Sequence, residues 1–216
     1  MRFIIAIFII LVVPVLFYVF KPNRWNIYFQ EHNNNPPREL IVRAINDIIE
    51  KKDAMHAIDF GFGNGNETVF LLQHGFSVTA IDAQDAAFMY LEEKTDAAHF
   101  AEKLQTIKSD FSQVDWSIVP KADVFVASLS MPFVLPDNFV AVWHSVIKQI
   151  KPGGYFVGHF FDPKFEKFSK FDRKNMNFFT KQELLDLFVD FKIHYFNTTT
   201  NESNEPRIHE IIAQKR

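Results

Sequence analysis

Beyond residue 37, the hydrophobic positions form short apolar runs that alternate with longer segments of helical period. The runs lie at residues 57–58, 78–81, 106–107, 124–129 and 155–161. Short apolar runs between amphipathic segments are typical of buried parallel strands joined by helices. Two later stretches, residues 192–198 and 207–214, follow each other with no helical segment between them, which predicts an antiparallel pair. We therefore predict an α/β fold in which helices cover both faces of a parallel sheet.

Three segments carry the clearest helical pattern. Apolar residues share one face in a helix that starts just after Pro37, in residues 138–150 and in residues 181–191. Thr180 followed by Glu183 is a capping box, in which each side chain bonds to the backbone N–H of the other residue. This box predicts that the last of the three helices begins directly after Thr180.

The N-terminal segment has a different pattern, because residues 3–20 contain no charged residue. As a helix, such a segment reaches roughly 27 Å, close to the hydrocarbon thickness of a bilayer. We predict a transmembrane or signal-anchor helix over residues 1–21, a linker and cap segment over residues 22–37, and the main domain over residues 38–216. A cleaved signal peptide and a buried core helix are the alternatives. No small-residue cleavage site follows Phe20, which disfavours the signal peptide.

The composition of the chain excludes several kinds of catalytic and metal-binding site. The chain has 216 residues, a formal net charge of -3 and 48% hydrophobic residues, which indicates one folded domain with a single core. The absence of cysteine excludes cysteine-ligated zinc, iron–sulfur clusters and thiolate nucleophiles. The histidines show no metal-ligand spacing, so we expect no metal site. The negative charge argues against binding through nucleic-acid phosphates, which needs clustered positive charge.

Three of the seven glycines stand together between the first strand and the next helix, at Gly61, Gly63 and Gly65. Glycine allows a tight turn and a close approach of the backbone to a ligand, while the N–H groups that open the helix face that ligand. The spacing differs from the G-x-G-x-x-G of dinucleotide-binding proteins. Asp59 stands two residues before the first glycine. A carboxylate there would repel a pyrophosphate but suits a cationic ligand with an amine and a sulfonium.

Acidic residues also end the next two strands. Asp82 closes the second strand, where a carboxylate accepts hydrogen bonds from the two hydroxyls of a ribose. Asp110 closes the third strand, where an aspartate or a neighbouring backbone group commonly meets the amine of an adenine. Together with the glycine turn, these positions predict a site for a positively charged nucleoside.

The order of these motifs resembles that of class I S-adenosylmethionine-dependent methyltransferases. The resemblance rests on residues 59–65 (DFGFGNG), Asp82, residues 109–111 (SDF) and residues 151–154 (KPGG), and it extends from about Pro37 to the C-terminus. It implies a Rossmann-like, doubly wound sheet of seven strands, mostly parallel with the last strand antiparallel. A narrower resemblance, to the tellurite-resistance-like methyltransferase group, rests on residues 127–133 (ASLSMPF), 155–158 and 176–180.

The resemblance implies S-adenosyl-L-methionine as the cofactor and suggests roles for individual residues. The expected cofactor-binding residues are Asp59, Gly61, Gly63, Gly65, Asp82, Ala83, Asp110, Phe111 and Ser128. On the acceptor side we expect Ser130 and Phe133, because this fold usually places the methyl acceptor after the fourth strand. His159, on or beside the fifth strand, is either a general base near the acceptor or a structural histidine of the core.

The resulting hypothesis is a methyltransferase that acts on a small-molecule or lipid-like acceptor by in-line displacement. A non-catalytic scaffold or sensor that binds the same cofactor is the alternative. A nicotinamide-dependent oxidoreductase is disfavoured by Asp59 and the glycine spacing. Met131 replaces the first proline of the motif of amino-group methylases, so we expect no nucleic-acid partner. Because the cofactor is cytosolic, we expect a single-pass membrane protein whose catalytic domain lies on the cytoplasmic side.

Overall fold

The protein folds around one sheet of seven strands. The computed structural model describes residues 24–95, 100, 102–165, 173–201 and 206–216. The strands are β1 His56–Phe60, β2 Ser77–Asp82, β3 Leu104–Lys108, β4 Ala122–Ala127, β5 Ile150–Phe161, β6 Phe191–Thr200 and β7 Pro206–Lys215. Their order across the sheet is β3-β2-β1-β4-β5-β7-β6. Strands β1 to β5 run parallel, and β7 lies antiparallel between β5 and β6.

Helices cover both faces of this sheet. They are α1 Arg24–His32, α2 Glu39–Arg43, α3 Asn66–Gln73, α4 Asp85–Lys94, α5 Pro136–Gln149 and α6 Lys181–Leu187. A π-helical turn, Ala44–Ile48, extends α2, and short 3₁₀ turns occur at Met131–Phe133 and Arg173–Asn175. The predicted fold is confirmed: a Rossmann-like, doubly wound sheet of seven strands with the last strand antiparallel.

Two hydrophobic cores fill the space between sheet and helices. On one face, Trp143 of α5 packs edge to face against Phe156 of β5. On the other face, Ile41, Leu71 and Leu91 of α2, α3 and α4 are buried over the central strands. Much of the abundant phenylalanine serves this packing: Phe60, Phe76, Phe125, Phe156, Phe160, Phe161 and Phe188 are fully buried.

Helix α6 is shorter than the apolar pattern of the sequence predicts. Its predicted start is confirmed, because the N–H of Thr180 donates to Oε2 of Glu183 at 2.7 Å and the N–H of Glu183 donates to the Thr180 hydroxyl at 3.3 Å. The helix ends at Leu187 and not at residue 191. Phe188 and Phe191 lie beyond the end of α6 but pack in the same core as Leu184 of that helix. The apolar pattern therefore continues past Leu187 and does not mark where the helix ends.

The predicted membrane helix over residues 1–21 lies outside the described residues. Within the part that the structure describes, no helix is long and apolar enough to cross a bilayer. This finding contradicts the predicted single-pass membrane localisation and the prediction of the membrane as a partner. The first described element is α1, a helix of nine residues that packs against α4 through Phe29 and Tyr90.

Candidate cofactor site

The glycine turn joins β1 to α3 at the carboxyl edge of the sheet. Gly61, Gly63 and Gly65 have φ of 79°, 55° and 77°, a region that residues with a side chain rarely adopt. Packing adds a second constraint, since a Cβ on Gly61 would lie 2.5 Å from the Cβ of Ser130. A Cβ on Gly65 would lie 2.6 Å from Cδ1 of Leu91. The turn therefore requires glycine at both of these positions.

Asp82, the last residue of β2, ties this turn to the neighbouring strand. Its Oδ2 accepts from the N–H of Gly63 at 3.0 Å, and its Oδ1 accepts from the N–H of Gln84 at 2.9 Å. The side chain is buried, and burial raises the pKa of Asp82 while the backbone hydrogen bonds oppose that shift. Each carboxylate oxygen can accept a further hydrogen bond, so the carboxylate can hold the turn and a ligand hydroxyl together.

Asp59 lies deeper, in β1, and the residue is only 1% exposed. Its Oδ2 accepts from the hydroxyl of Thr68 at 2.6 Å, while its Oδ1 has no hydrogen-bond partner among the described residues. Burial, then the carboxylate of Glu67, and more weakly that of Asp82, raise the pKa of Asp59 to about 8. The two predicted acids are thus close enough to interact, on either side of the glycine turn.

The third predicted acid is arranged differently. β3 ends at Lys108, two residues before Asp110. The Asp110 side chain is exposed, and its Oδ1 accepts from the N–H and the hydroxyl of Ser112 at 2.9 and 2.6 Å. Phe111 lies against the ring of Phe60, with ring centres 4.3 Å apart. Ala83, the residue after β2, is exposed at the same edge.

The segment after β4 borders the turn on its other side. The hydroxyl of Ser128 donates to Oε1 of Glu67 at 3.3 Å. Leu129 has a φ of 57°, a strained conformation for a residue with a side chain. The hydroxyl of Ser130 is buried without a partner among the described residues and lies close to Gly61. Such a combination of strain and an unpaired polar group is typical of ligand-binding edges.

His159 lies on β5 beside this segment. It is 4% exposed, and its Nδ1 has no hydrogen-bond partner in the described part of the chain. Burial, followed by the positive charge of Arg38, lowers the pKa of His159 to about 3. The imidazole is therefore neutral, and it is too weakly basic in this state for the predicted role of general base.

Helix α1 lies over the glycine turn. A Cβ on Gly63 would lie 3.3 Å from the ring of Phe29, and the side-chain amide of Asn64 donates to the carbonyl oxygen of Phe29 at 3.4 Å. Lys94 at the end of α4 donates to the carbonyl oxygens of Asn33 and Asn64, at 2.8 and 2.7 Å. It also donates to Oδ1 of Asn66 at 2.6 Å. One ammonium group thus joins α1, the turn and α3.

Sequence reasoning missed four residues of this region: Glu67, Thr68, Lys94, and Glu210, whose Oε1 lies 4.0 Å from Nε2 of His159. Glu67 and Thr68 come two and three residues after Gly65, so their position in the first turn of α3 was the available signal. Lys94 and Glu210 give no signal in the sequence, because they reach the site only through helix packing and strand register.

The charges around the turn fit a cationic ligand. Three carboxyl groups surround it, those of Asp59, Glu67 and Asp82, and all three side chains are buried. The unpaired Oδ1 of Asp59 needs a hydrogen-bond donor. The amine and the sulfonium of S-adenosylmethionine match these acidic groups, because a cation beside them favours the ionised carboxylates, whereas a pyrophosphate would be repelled by those carboxylates.

Two features define the class I S-adenosylmethionine-dependent methyltransferases. One is the strand order with an antiparallel β7. The other is a glycine turn between buried acids at the ends of β1 and β2. Comparison with known sequences gives the family. The chain belongs to the family described as Tellurite resistance protein TehB, whose profile matches residues 20–164. The class and group predicted from the sequence are confirmed, and with them the cofactor, S-adenosylmethionine.

The individual proteins that resemble this chain have limited sequence identity to it. TehB from Haemophilus influenzae is 18% identical with a TM-score of 0.66, over 89% of this chain and 67% of that chain. The 1,6-didemethyltoxoflavin-N1-methyltransferase of Burkholderia thailandensis, solved with S-adenosylhomocysteine, is 18% identical with a TM-score of 0.58, over 76% of this chain and 72% of that chain. A probable dimethyladenosine transferase from Dictyostelium discoideum is 32% identical over 120 residues, 56% of this chain. The chain spans only 36% of the length of that relative.

Proposed function

We propose that this protein transfers the methyl group of S-adenosylmethionine to a small-molecule or lipid-like acceptor by in-line displacement. The observation that carries the proposal is the pair of buried acids beside the glycine turn, Asp59 and Asp82, with Oδ1 of Asp59 left without a partner among the described residues. A cationic amine satisfies such a group best, because it brings both hydrogen-bond donors and the opposite charge.

When bound, S-adenosylmethionine supplies a methyl group on a positively charged sulfur that departs as a neutral thioether. The chain then has to bind, align and exclude water. In this proposal Asp82 holds the ribose hydroxyls, and Asp59 faces the amine across the turn. Phe111 packs against the adenine, beside Ala83 and the backbone at Asp110.

On the acceptor side we assign Ser130, Phe133 and His159. Ser130 contributes an unpaired buried hydroxyl, and Phe133 an aromatic surface. A small-molecule acceptor is supported by the methyltransferase of Burkholderia thailandensis, whose name gives a small molecule as its substrate. The Dictyostelium discoideum relative is named for dimethyladenosine. The net charge of -3 of this chain does not favour a nucleic-acid acceptor.

The test is methyl transfer by the full chain from tritiated S-adenosylmethionine to a panel of amines, thiols, quinones and metalloid oxyanions. We expect S-adenosylhomocysteine to accumulate with at least one acceptor, and Asp59→Ala to abolish this turnover while Asp85→Asn, at an exposed aspartate of α4, retains it. Binding of S-adenosylmethionine without turnover across the panel would favour the scaffold or sensor. Absence of binding at millimolar concentration would remove the proposal.

A further inference from the structure

A row of polar side chains crosses the sheet beside the glycine turn, on the face that α1 to α4 cover. His159 on β5 lies opposite Glu210 on β7, and Glu210 lies opposite Asn197 on β6. Ser128 follows β4 next to His159, since β4 and β5 are paired in parallel up to the preceding residues. Because side chains alternate between faces, these residues point to the same side of the sheet.

Within this row, His159 has an unused hydrogen-bonding group. Its Nε2 lies 4.0 Å from Oε1 of Glu210. The carboxylate of Glu210 is itself held by the side-chain amide of Asn197, which donates to Oε2 at 2.9 Å. A neutral imidazole carries one proton, and the carboxylate favours that proton on Nε2. Nδ1, buried and without a partner among the described residues, is then a bare acceptor.

The neighbours of the ring do not satisfy this acceptor. The hydroxyl of Ser128 donates to Glu67. Glu210 and Glu67 are carboxylates, and Arg38 donates to the hydroxyl of Tyr28 at 3.0 Å. A buried acceptor without a donor is costly, so the missing donor points to a ligand.

Aromatic rings continue this face toward the end of β5. Phe161, two residues beyond His159, meets Phe133 edge to face with ring centres 5.9 Å apart. Trp25 of α1 meets Phe133 in the same manner at 5.0 Å. Rings of this kind favour a flat apolar body beside them.

We propose that His159 selects the methyl acceptor: its Nδ1 accepts a hydrogen bond from an N–H or O–H group of a small neutral molecule with an aromatic or apolar body, and Glu210 positions the ring. This inference rests on the proposed function and names the class of acceptor. During transfer the lone pair of the acceptor heteroatom forms the bond to the methyl carbon, and the electron pair of the broken carbon–sulfur bond stays on sulfur. The methylated heteroatom loses its N–H or O–H proton to bulk water as the product leaves, because neutral His159 is a hydrogen-bonding group here and not the base.

The first test follows the ring nitrogens by NMR in the full chain labelled with ¹⁵N-histidine, with S-adenosylhomocysteine present at saturation. The His159 signals are identified by their loss in His159→Gln. We expect a neutral ring with its proton on Nε2 at neutral pH. Glu210→Leu should shift part of the population to the other tautomer, and Glu210→Gln, which keeps an acceptor oxygen, should restore the native pattern. A charged ring, or a proton on Nδ1 in the unmodified chain, would overturn the proposal.

The second test uses probes that share one body and differ in the donor: p-toluidine with N–H, p-cresol with O–H, and 4-methylanisole with neither. We expect the two donors to shift the Nδ1 signal of His159 and to bind about tenfold more tightly than 4-methylanisole. His159→Phe should remove that difference in affinity. His209 is the internal control, because both of its ring nitrogens already have partners in Thr198, Asp162 and the carbonyl oxygen of Phe179.

The outcomes separate the two proposals. If S-adenosylhomocysteine binds but the three probes bind alike, or no donor moves the Nδ1 signal, the acceptor assignment is wrong and the cofactor proposal stands. The acceptor assignment is equally wrong if tellurite moves that signal and the donor probes do not. If S-adenosylhomocysteine itself fails to bind, the proposed function fails first. Melting curves of each variant show that the chain remains folded.

Discussion

At the scale of single residues, the carboxyl group of Asp59 dominates the electrostatics of the site. It is almost fully buried, and the carboxylates of Glu67 and Asp82 add to the effect of burial in raising its pKa to about 8. The protonated form therefore prevails in the folded protein at neutral pH. A cationic ligand beside Asp59 would reverse this preference and favour the charged carboxylate.

The raised pKa of Asp59 predicts that stability falls as the pH rises. Between its unfolded value and about 8, Asp59 is ionised in the unfolded chain and protonated in the folded chain. The folded state then binds the extra proton, so this group lowers the free energy of unfolding by up to about 1.4 kcal/mol per pH unit. Asp59→Asn should flatten this slope in urea unfolding between about pH 5 and pH 8. Parallel slopes for the two proteins would show that Asp59 is ionised in the folded state.

How far the sequence predicts these residues depends on how they reach the site. Asp59, Gly61 and Asp82 could be predicted as candidates because strand ends and a glycine turn have fixed places in the chain pattern. Glu210 was missed, because its position opposite His159 follows from the pairing of β5 with β7, two strands that are far apart in the sequence. The low pKa of His159 depends on burial and on Arg38, and neither can be read from the neighbouring residues.

At the scale of elements, the site depends on how α1 is attached. The ammonium group of Lys94 donates to three oxygens, on Asn33, Asn64 and Asn66, and so joins the end of α1 to the glycine turn and α3. The sequence predicted a cap segment over residues 22–37, but not the lysine in α4 that holds it. The ends of α5 and α6 were predicted within a few residues, since capping and apolar periodicity are local properties.

We predict that removing the hydrogen bonds of Lys94 loosens α1 and the glycine turn more than the rest of the fold. Lys94→Ala should lower the free energy of unfolding by about 1–3 kcal/mol, because three partly buried oxygens lose their donor. Hydrogen exchange should accelerate in residues 26–35 and 61–66 more than in the central strands. Lys148→Ala is the matched control, since Lys148 also lies in the last turn of a helix and is exposed. Equal exchange in both variants would show that Lys94 does not hold α1.

At the scale of the whole molecule, the sheet order and the glycine turn together make a nucleoside-binding fold. The alternation of strands and helices, and the two late strands without a helix between them, were sufficient to predict this architecture. The predicted membrane span was wrong: it rested on one uncharged run that lies outside the described residues, and no helix within them meets the length and hydropathy of a span.

A ligand that binds only the folded chain stabilises all of it. At a concentration of about 100 times its Kd, S-adenosylhomocysteine should raise the free energy of unfolding by about 2.7 kcal/mol. For a chain of this size, we expect the melting temperature to rise by about 5–10 °C. NADH should produce no such rise, because its pyrophosphate would meet the acids around the turn. A rise with NADH and none with S-adenosylhomocysteine would favour the nicotinamide-dependent alternative.

The most direct measurement is calorimetric titration of the full chain with S-adenosylhomocysteine, compared with Asp82→Ala and the exposed control Asp85→Asn. We expect the unmodified chain to bind the ligand saturably at one site. The affinity should be about tenfold lower or more in Asp82→Ala, because a charged hydrogen bond is lost. It should be unchanged in Asp85→Asn. Equal affinity in all three proteins, or no heat of binding in the unmodified chain at millimolar ligand, would contradict a cofactor cradle built on the ends of β1 and β2.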